Sequence, residues 1–190
     1  MVSAAKLRKA QDKIVRLRPY AGKLHDILVG LTQSLSESQE ENVYGRKGLP
    51  EKVLVVVVTS NRGLCGAFNS NVIKETKRII VEKYHDQYNK GNVWFLAIGK
   101  KGYDALKKLK ISRLEENNAL FQDLSFVNVS EVAARIMQSF VKGDFDRVEL
   151  VYNQFKNAAV QNLTVETFLP VETVSHGKKV TLPVDYIYEP

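Results

Sequence analysis

Val53-Leu54-Val55-Val56-Val57-Val58-Thr59-Ser60-Asn61-Arg62-Gly63-Leu64-Cys65-Gly66-Ala67-Phe68-Asn69-Ser70-Asn71 is the stretch that decides the fold. Its first six residues are all apolar and mostly β-branched. Such a run suits a strand buried on both faces, the centre of a largely parallel sheet covered by helices. A turn punctuated by Gly63 and Gly66 follows, where glycine allows a left-handed backbone or the close approach of another segment. Val72, Thr76, Ile79, Ile80, Lys83, Tyr84 and Tyr88 then recur at three-to-four spacing, which predicts a helix. Strand, turn and helix together open the first crossover of an open α/β sheet.

Working outward toward the C-terminus, Asn89-Lys90-Gly91-Asn92 ends that helix. Val93-Trp94-Phe95-Leu96-Ala97-Ile98 reads as a second buried strand. Gly99-Lys100-Lys101-Gly102 turns into a short helix with Tyr103, Leu106 and Leu109 inward. Residues 111–127 read as mixed loop. Asn128, with Glu131 three residues on, predicts the N-cap of a helix from Val129. That helix points Val132, Ala133, Ile136, Met137, Phe140 and Val141 inward and ends at Gly143. Val148–Tyr152 is a third strand. Leu163–Leu169 alternates after a connection too short for a helical crossover, so it is expected to run antiparallel. Val184–Tyr188 reads as one more edge strand. The order predicts an α/β class, with a Rossmann-like domain and a mostly parallel sheet over residues 52–190.

Outward toward the N-terminus the pattern changes. Residues 39–51 are polar with Gly and Pro and read as a linker. Before them, Leu7, Ala10, Ile14, Leu17, Ala21, Leu24, Leu28, Leu31 and Leu35 keep an unbroken three-four spacing. A period of 3.5 marks a left-handed coiled coil, so residues 1–38 are expected to form one long shaft-like helix. Pro19 removes a backbone donor and costs about 3 kcal/mol inside a helix. With Leu7 as an a position, however, Pro19 falls at f, outside the seam. No other segment of the 190 residues carries a matching heptad run, so the seam lacks a partner helix within the sequence.

Charge is uneven. Residues 1–24 hold seven Lys or Arg against one acid, Asp12, while the remainder holds 21 basic and 20 acidic residues. The net +7 therefore sits almost wholly on the N-terminal helix. A basic stripe of this kind keeps a nucleic-acid-binding module as one alternative. Against it, the charges flank an apolar seam, and the segment's only aromatic is Tyr20. The single cysteine excludes an internal disulfide framework and fits a reducing compartment. No apolar run approaches the roughly 20 residues of a membrane helix.

Enzyme chemistry finds little support. A dinucleotide site wants Gly-x-Gly-x-x-Gly after the first strand and an acid after the second. The first turn offers only Gly63 and Gly66, and Gly99-Lys100-Lys101 follows the second strand with no acid. The same residues fail a Walker A loop, which needs Ser or Thr after Gly-Lys. They leave open an anion at a helix N-terminus, and a nucleotide-binding Rossmann-like enzyme stands as the other alternative. Cys65 has no spaced base among His25, His85 and His176 and is expected to be a small buried residue. Zinc-ligand spacing is missing. No catalytic, cofactor-binding or metal residue is assigned.

Thr59-Ser60-Asn61-Arg62-Gly63-Leu64-Cys65-Gly66-Ala67-Phe68-Asn69-Ser70-Asn71 resembles the turn in the gamma subunit of F-type rotary ATP synthases. Val2-Ser3-Ala4-Ala5-Lys6-Leu7-Arg8-Lys9-Ala10-Gln11 and Arg18-Pro19-Tyr20-Ala21 are similar to the middle of that family's N-terminal helix. The resemblance covers essentially the whole sequence. It implies a chain truncated at both ends, whose helix begins earlier and pairs antiparallel with a long C-terminal helix approached at Glu189-Pro190. It implies a signature turn at Asn61, Arg62, Gly63, Leu64, Cys65, Gly66 and Asn69, and partner-helix contacts along the seam from Leu7 to Leu35. The implied role is the non-catalytic central stalk, coupling rotation of a proton-driven membrane ring to ATP synthesis or hydrolysis. The implied partners are the alpha and beta subunits of the catalytic hexamer, the epsilon subunit and the c-ring. Neither nucleic acid nor a cofactor is implied. The implied location is peripheral, on the cytoplasmic face of a bacterial inner membrane. With its seam uncovered, the given chain is expected to self-associate.

Overall fold

A computed structural model describes residues 2–37, 43–45, 48–109, 113–157 and 159–171, and the side chains of these except 2–3 and 31–37. The expected strand at Val184–Tyr188 lies outside the described residues. One compact unit spans Val43–Pro170, and the N-terminal helix belongs to a second.

The all-apolar run forms β1 (Val53–Val58) at the centre of a five-stranded sheet of order β3-β2-β1-β4-β5. On one side lie β2 (Val93–Ile98) and β3 (Leu114–Glu116), and on the other β4 (Arg147–Phe155) and β5 (Gln161–Leu169). β1 runs parallel to β2 and β4, β2 parallel to β3, and β5 antiparallel to β4. Four helices complete the unit: α2 (Phe68–Glu82), α3 (His85–Asn89), α4 (Lys100–Lys107) and α5 (Phe126–Lys142). This is the α/β, mostly parallel architecture expected from the sequence.

Both faces of β1 are covered, which is why its residues alternate with no polar partner. Val53, Val55 and Val57 join Phe95, Ile79, Ile80, Tyr84 and Leu106 in the main core. On the opposite face Leu54 and Leu96 line a small cleft with Ile136 of α5. Full burial of each such side chain contributes roughly 1.5–3 kcal/mol.

Local details depart from the sequence reading. The helix expected from Val72 to Tyr88 breaks at Lys83–Tyr84. There the Tyr84 amide is shared between the Ile79 and Ile80 carbonyls, at 3.1 and 3.2 Å, and its ring turns into the core. The N-cap of α5 is Ser125, not Asn128: its Oγ accepts from the Asn128 amide at 3.4 Å, and the helix begins at Phe126. Asn128 lies in the first turn, its side-chain amide donating to the Asp123 carbonyl at 2.8 Å. Leu109 and Val141, expected inward, are exposed, because α4 stops at Lys107 and Val141 lies off the Ile136–Phe140 face. Residues expected to be loop hold β3 and a 3-10 turn at Ala119–Phe121.

One acid is buried. Glu149 of β4 is 1% exposed. The Tyr84 hydroxyl donates to its Oε1, Lys83 Nζ lies 2.6 Å away and Arg147 Nη1 3.6 Å away. Burial, and then the Glu149 carboxylate, push the Tyr84 phenol far above its ordinary value. This cluster ties the end of α2 to the sheet across 65 residues of sequence.

In the other unit, α1 (Val2–Glu37) is a single 36-residue helix that runs through Pro19. At 1.5 Å per residue it is about 54 Å long.

Candidate functional site

Two features carry the sequence-predicted residues: the turn after β1, and the apolar stripe of α1. Chain reversal in the sheet places the turn. β1 leads to β2 on one side, and the chain returns through α5 to β4 on the other. The carboxyl ends of β1 and β4 therefore flank the switch point where ligands of open α/β sheets bind.

The turn is filled by its own hydrogen bonds. The Ser60 amide donates to Asn69 Oδ1 at 2.9 Å, and Asn69 Nδ2 donates to Ser60 Oγ at 2.9 Å and Cys65 Sγ at 3.1 Å. From β4, Asn153 Nδ2 donates to the Phe68 carbonyl at 2.8 Å, pinning the start of α2. Leu64 takes a left-handed φ of 63° and stands fully exposed at the tip. Cys65, expected to be buried, is exposed beside it: the reversal at Leu64 swings the following residues out of the core. The structure thus brings Asn61, Arg62, Gly63, Leu64, Cys65 and Gly66 into one loop bonded to Asn69 on the first turn of α2, with Lys101 Cε 3.6 Å from where a Cβ on Gly63 would stand.

The first amides of α4 are engaged as well. Lys100 N–H donates to Asn61 Oδ1 at 2.9 Å, Lys101 N–H to the Ser60 carbonyl at 3.1 Å, and Gly102 N–H to Thr59 Oγ1 at 2.8 Å. Donors that a phosphate would need are therefore already satisfied, which removes the expectation of an anion at Gly99–Gly102. The two glycines serve packing instead. A Cβ on Gly99 would lie 2.2 Å from the Thr59 carbonyl oxygen, and one on Gly102 2.8 Å from Thr59 Oγ1. Sequence reading missed Thr59, Gly99 and Asn153 as the members of this clasp. The Gly-x-x-Gly spacing was its visible signal, and its reading as a turn shaped for close packing rather than a phosphate loop agrees with the contacts of Gly99 and Gly102.

Six of the seven described side chains of the stripe on α1 are exposed. Leu7, Leu17, Leu24 and Leu28 are 52%, 62%, 42% and 51% exposed. Ala10 and Ala21 are exposed as well, and Ile14 is half-buried. Leu31 and Leu35 fall where side chains lie outside the described residues. Four half-exposed leucines at heptad spacing leave a long apolar face open to a partner. Among the described residues no group of His, Cys, Asp and Glu could hold a metal ion, and no helix is long and apolar enough to cross a membrane.

Comparison with known proteins agrees on one family. A family model described as ATP synthase matches residues 1–190. The ATP synthase gamma chain of Cytophaga hutchinsonii is 45% identical over 192 residues, covering 100% of this chain and 65% of that protein. That of Flavobacterium psychrophilum is 47% identical over 193 residues, covering 100% of this chain and 64% of that protein. The chain thus spans less than two thirds of the length of these relatives. Among solved structures, the central stalk and c-ring of the Tetrahymena thermophila mitochondrial ATP synthase contains a similar chain. The match has a TM-score of 0.64 and 26% identity, and covers 95% of this chain and 77% of that one.

Proposed function

We propose, from the premise that this chain belongs to the ATP synthase gamma-chain family, that it works as the torque-carrying subunit of the central stalk of an F-type ATP synthase. The observation that carries the reading is the 36-residue helix α1 with its leucines half-exposed at heptad spacing. A lone helix of that kind is neither stable nor stiff in water, because its stability comes from packing an apolar face. A second helix laid antiparallel along Leu7, Ala10, Ile14, Leu17, Ala21, Leu24, Leu28, Leu31 and Leu35 supplies both. Its source is the remaining length that the relatives have and this chain does not span.

In this reading the paired shaft reaches into the hexamer of alpha and beta subunits. Its asymmetry drives each catalytic site through successive states. The α/β unit sits on the proton-driven c-ring beside the epsilon subunit, on the cytoplasmic face of a bacterial inner membrane. The chain itself supplies no catalytic residue: the turn at Asn61–Asn69 is a stiff corner, held by Asn69, Asn153 and Thr59. The positive charge of residues 1–24 suits acidic surfaces in the hexamer or the ring.

Expression of the full-length protein with the other subunits tests this. Co-purification with the hexamer, and ATP hydrolysis that turns a probe fixed to the α/β unit, are the expected results. A full-length protein that purifies free of the ATPase subunits, or a hexamer that rotates nothing bound to it, overturns the reading.

A further inference from the structure

The two faces of β2 and β3 are covered unequally. On one face α4 packs over both strands, with Tyr103 and Leu106 in the cluster that holds Phe95, Ala97 and Leu114. Side chains alternate along a strand, so Trp94, Leu96 and Glu115 stand on the other face. There Ile136 of α5 meets Leu54 and Leu96, and a cleft of about 120 Å³ opens beside Trp94 and Phe145.

Its size decides what can enter. Sites for small molecules run to about 300–1,000 Å³, whereas engineered cavities of about 150 Å³ take benzene. The space therefore suits one apolar side chain. Its floor is recessed, because Leu54, Phe95, Leu96 and Ile136 are all buried. A recess accepts an anchor from a partner, while binding in a bilayer surface needs apolar side chains that project.

Two guanidinium groups flank the cleft. Arg113 lies over the Trp94 ring, 4.2 Å from its centroid, and Trp94 packs edge-to-face on Phe145 with centroids 5.4 Å apart. Among the described residues Arg113 forms no ion pair. Arg135, which lines the cleft, faces Glu115 at 3.7 Å, and both side chains are exposed. That distance is well beyond the roughly 2.7–2.9 Å of a charge-assisted hydrogen bond. The rim thus sets two cations against one loosely held carboxylate.

We propose that this cleft docks an acidic segment of a partner protein. An apolar side chain of that segment enters beside Trp94 and Ile136, and the Asp or Glu next to it binds Arg113 and Arg135. A guanidinium takes a carboxylate through two parallel hydrogen bonds, and the stack on Trp94 orders Arg113 before the partner arrives. A basic segment would instead meet two like charges. The proposal is independent of the rotor reading, because its test uses no other ATP synthase subunit.

Trp94 is the chain's single tryptophan and serves as the reporter. The 190-residue chain is titrated with a short capped peptide of one leucine among glutamates, with its leucine–lysine counterpart, and with phosphatidylglycerol vesicles. Peptides too short to form a helix do not pair along the seam of α1. The expected result is a saturable shift of Trp94 emission with the glutamate peptide alone, weakening several-fold at high salt. The double variant Arg113→Ala/Arg135→Ala, read by calorimetry because it alters the surroundings of Trp94, weakens the glutamate peptide at least about tenfold, a loss of about 1.4 kcal/mol. Its thermal midpoint is expected to stay unchanged. Should that variant lower the midpoint, Arg135→Glu alone decides, with the same expected loss. No shift with the glutamate peptide, equal response to both peptides, a response to the vesicles, or variants that bind like the parent overturn the proposal.

Discussion

The α/β unit and helix α1 solve the problem of apolar surface in opposite ways. In the unit, Val53, Val55, Val57, Val72 and Phe140 are fully buried, and the polar side-chain groups left inside find partners within the unit, Asn118 Oδ1 excepted. Thr59 bonds α4, Asn69 bonds Ser60, and Glu149 holds Tyr84, Lys83 and Arg147. In α1 the largest side chains lie in water, and only Val29 is buried among the described residues. The lesson is that a self-sufficient α/β unit, the base, and a helix with most of its described apolar stripe exposed, the rod, share one chain. Damage to the first is felt as lost folding. On the proposed reading, damage to the second is felt only where a partner covers it.

The sharpest break would come at the clasp between β1 and α4. Gly99→Ala puts a Cβ 2.2 Å from a backbone oxygen, at a φ of 111° that L residues rarely adopt. Neither backbone can yield without moving β1. We expect a loss of at least about 4 kcal/mol in urea unfolding of the α/β unit, or no folded protein at all. A loss below about 1 kcal/mol would show that the clasp gives way freely. Next in size is the buried acid. Glu149→Ala strands the Tyr84 hydroxyl and takes an ion partner from Lys83 and Arg147, and is expected to cost about 3–5 kcal/mol. Glu149→Gln keeps an acceptor for Tyr84 and is expected to cost less. Equal losses for the two variants would assign the effect to volume, not to the ion cluster.

What could be read from the sequence follows the same division. β1 was legible because burial on both faces removes every polar residue from Val53 to Val58. The antiparallel turn into β5 was legible from the short connection. α1 was legible because nine apolar positions keep one period. β3 was not: it is three residues at a sheet edge, Leu114-Glu115-Glu116, paired on one side only, so nothing demands apolar side chains. The break at Lys83–Tyr84 was hidden because Tyr84 answers to Glu149, whose position along the chain no local pattern reveals. At the candidate site the place of the turn after β1 was legible and its interior was not. Gly99 and Gly102 carry the same signal whether a phosphate or a threonine occupies the space beside them. Cys65 was misjudged because a composition rule for cysteine ignores the reversal at Leu64.

Alkaline pH offers a milder perturbation of the base alone. Burial first, and then Glu149, raise the Tyr84 phenol far above 10.0. Burial first, and then Glu166, push Tyr152 up to about 12. In both cases the folded state holds its proton more tightly than the unfolded chain. Their contribution to stability is therefore complete below about pH 10 and falls as pH rises from there through the folded values. Unfolding free energy measured from pH 8 to 12 should fall above about pH 10. Tyr84→Phe should flatten that decline while lowering stability at pH 8 through the lost Glu149 hydrogen bond. A Tyr84→Phe profile parallel to that of the parent would remove Tyr84 from the account.

The smallest effect on folding is expected at the rod, and there the comparison is most exposed to failure. Leu17→Ser and Leu24→Ser alter side chains 62% and 42% exposed. In the 190-residue chain each should change urea unfolding of the α/β unit by no more than about 0.5 kcal/mol, as for other surface positions. The same substitutions should act on association: light scattering should find self-association of the 190-residue chain that either serine weakens. In a protein of the relatives' length, where we propose that a second helix covers the seam, each loss should grow to about 2–5 kcal/mol of shaft stability, the range for a truncated core leucine. Asp12→Asn, whose carboxylate lies off the heptad positions, is the control and should shift neither measurement. Two small losses in both proteins would mean that nothing packs along this face. Two large ones would mean that the 190-residue chain already covers it. Only a small loss without the second helix and a large one with it fits a rod completed by a partner.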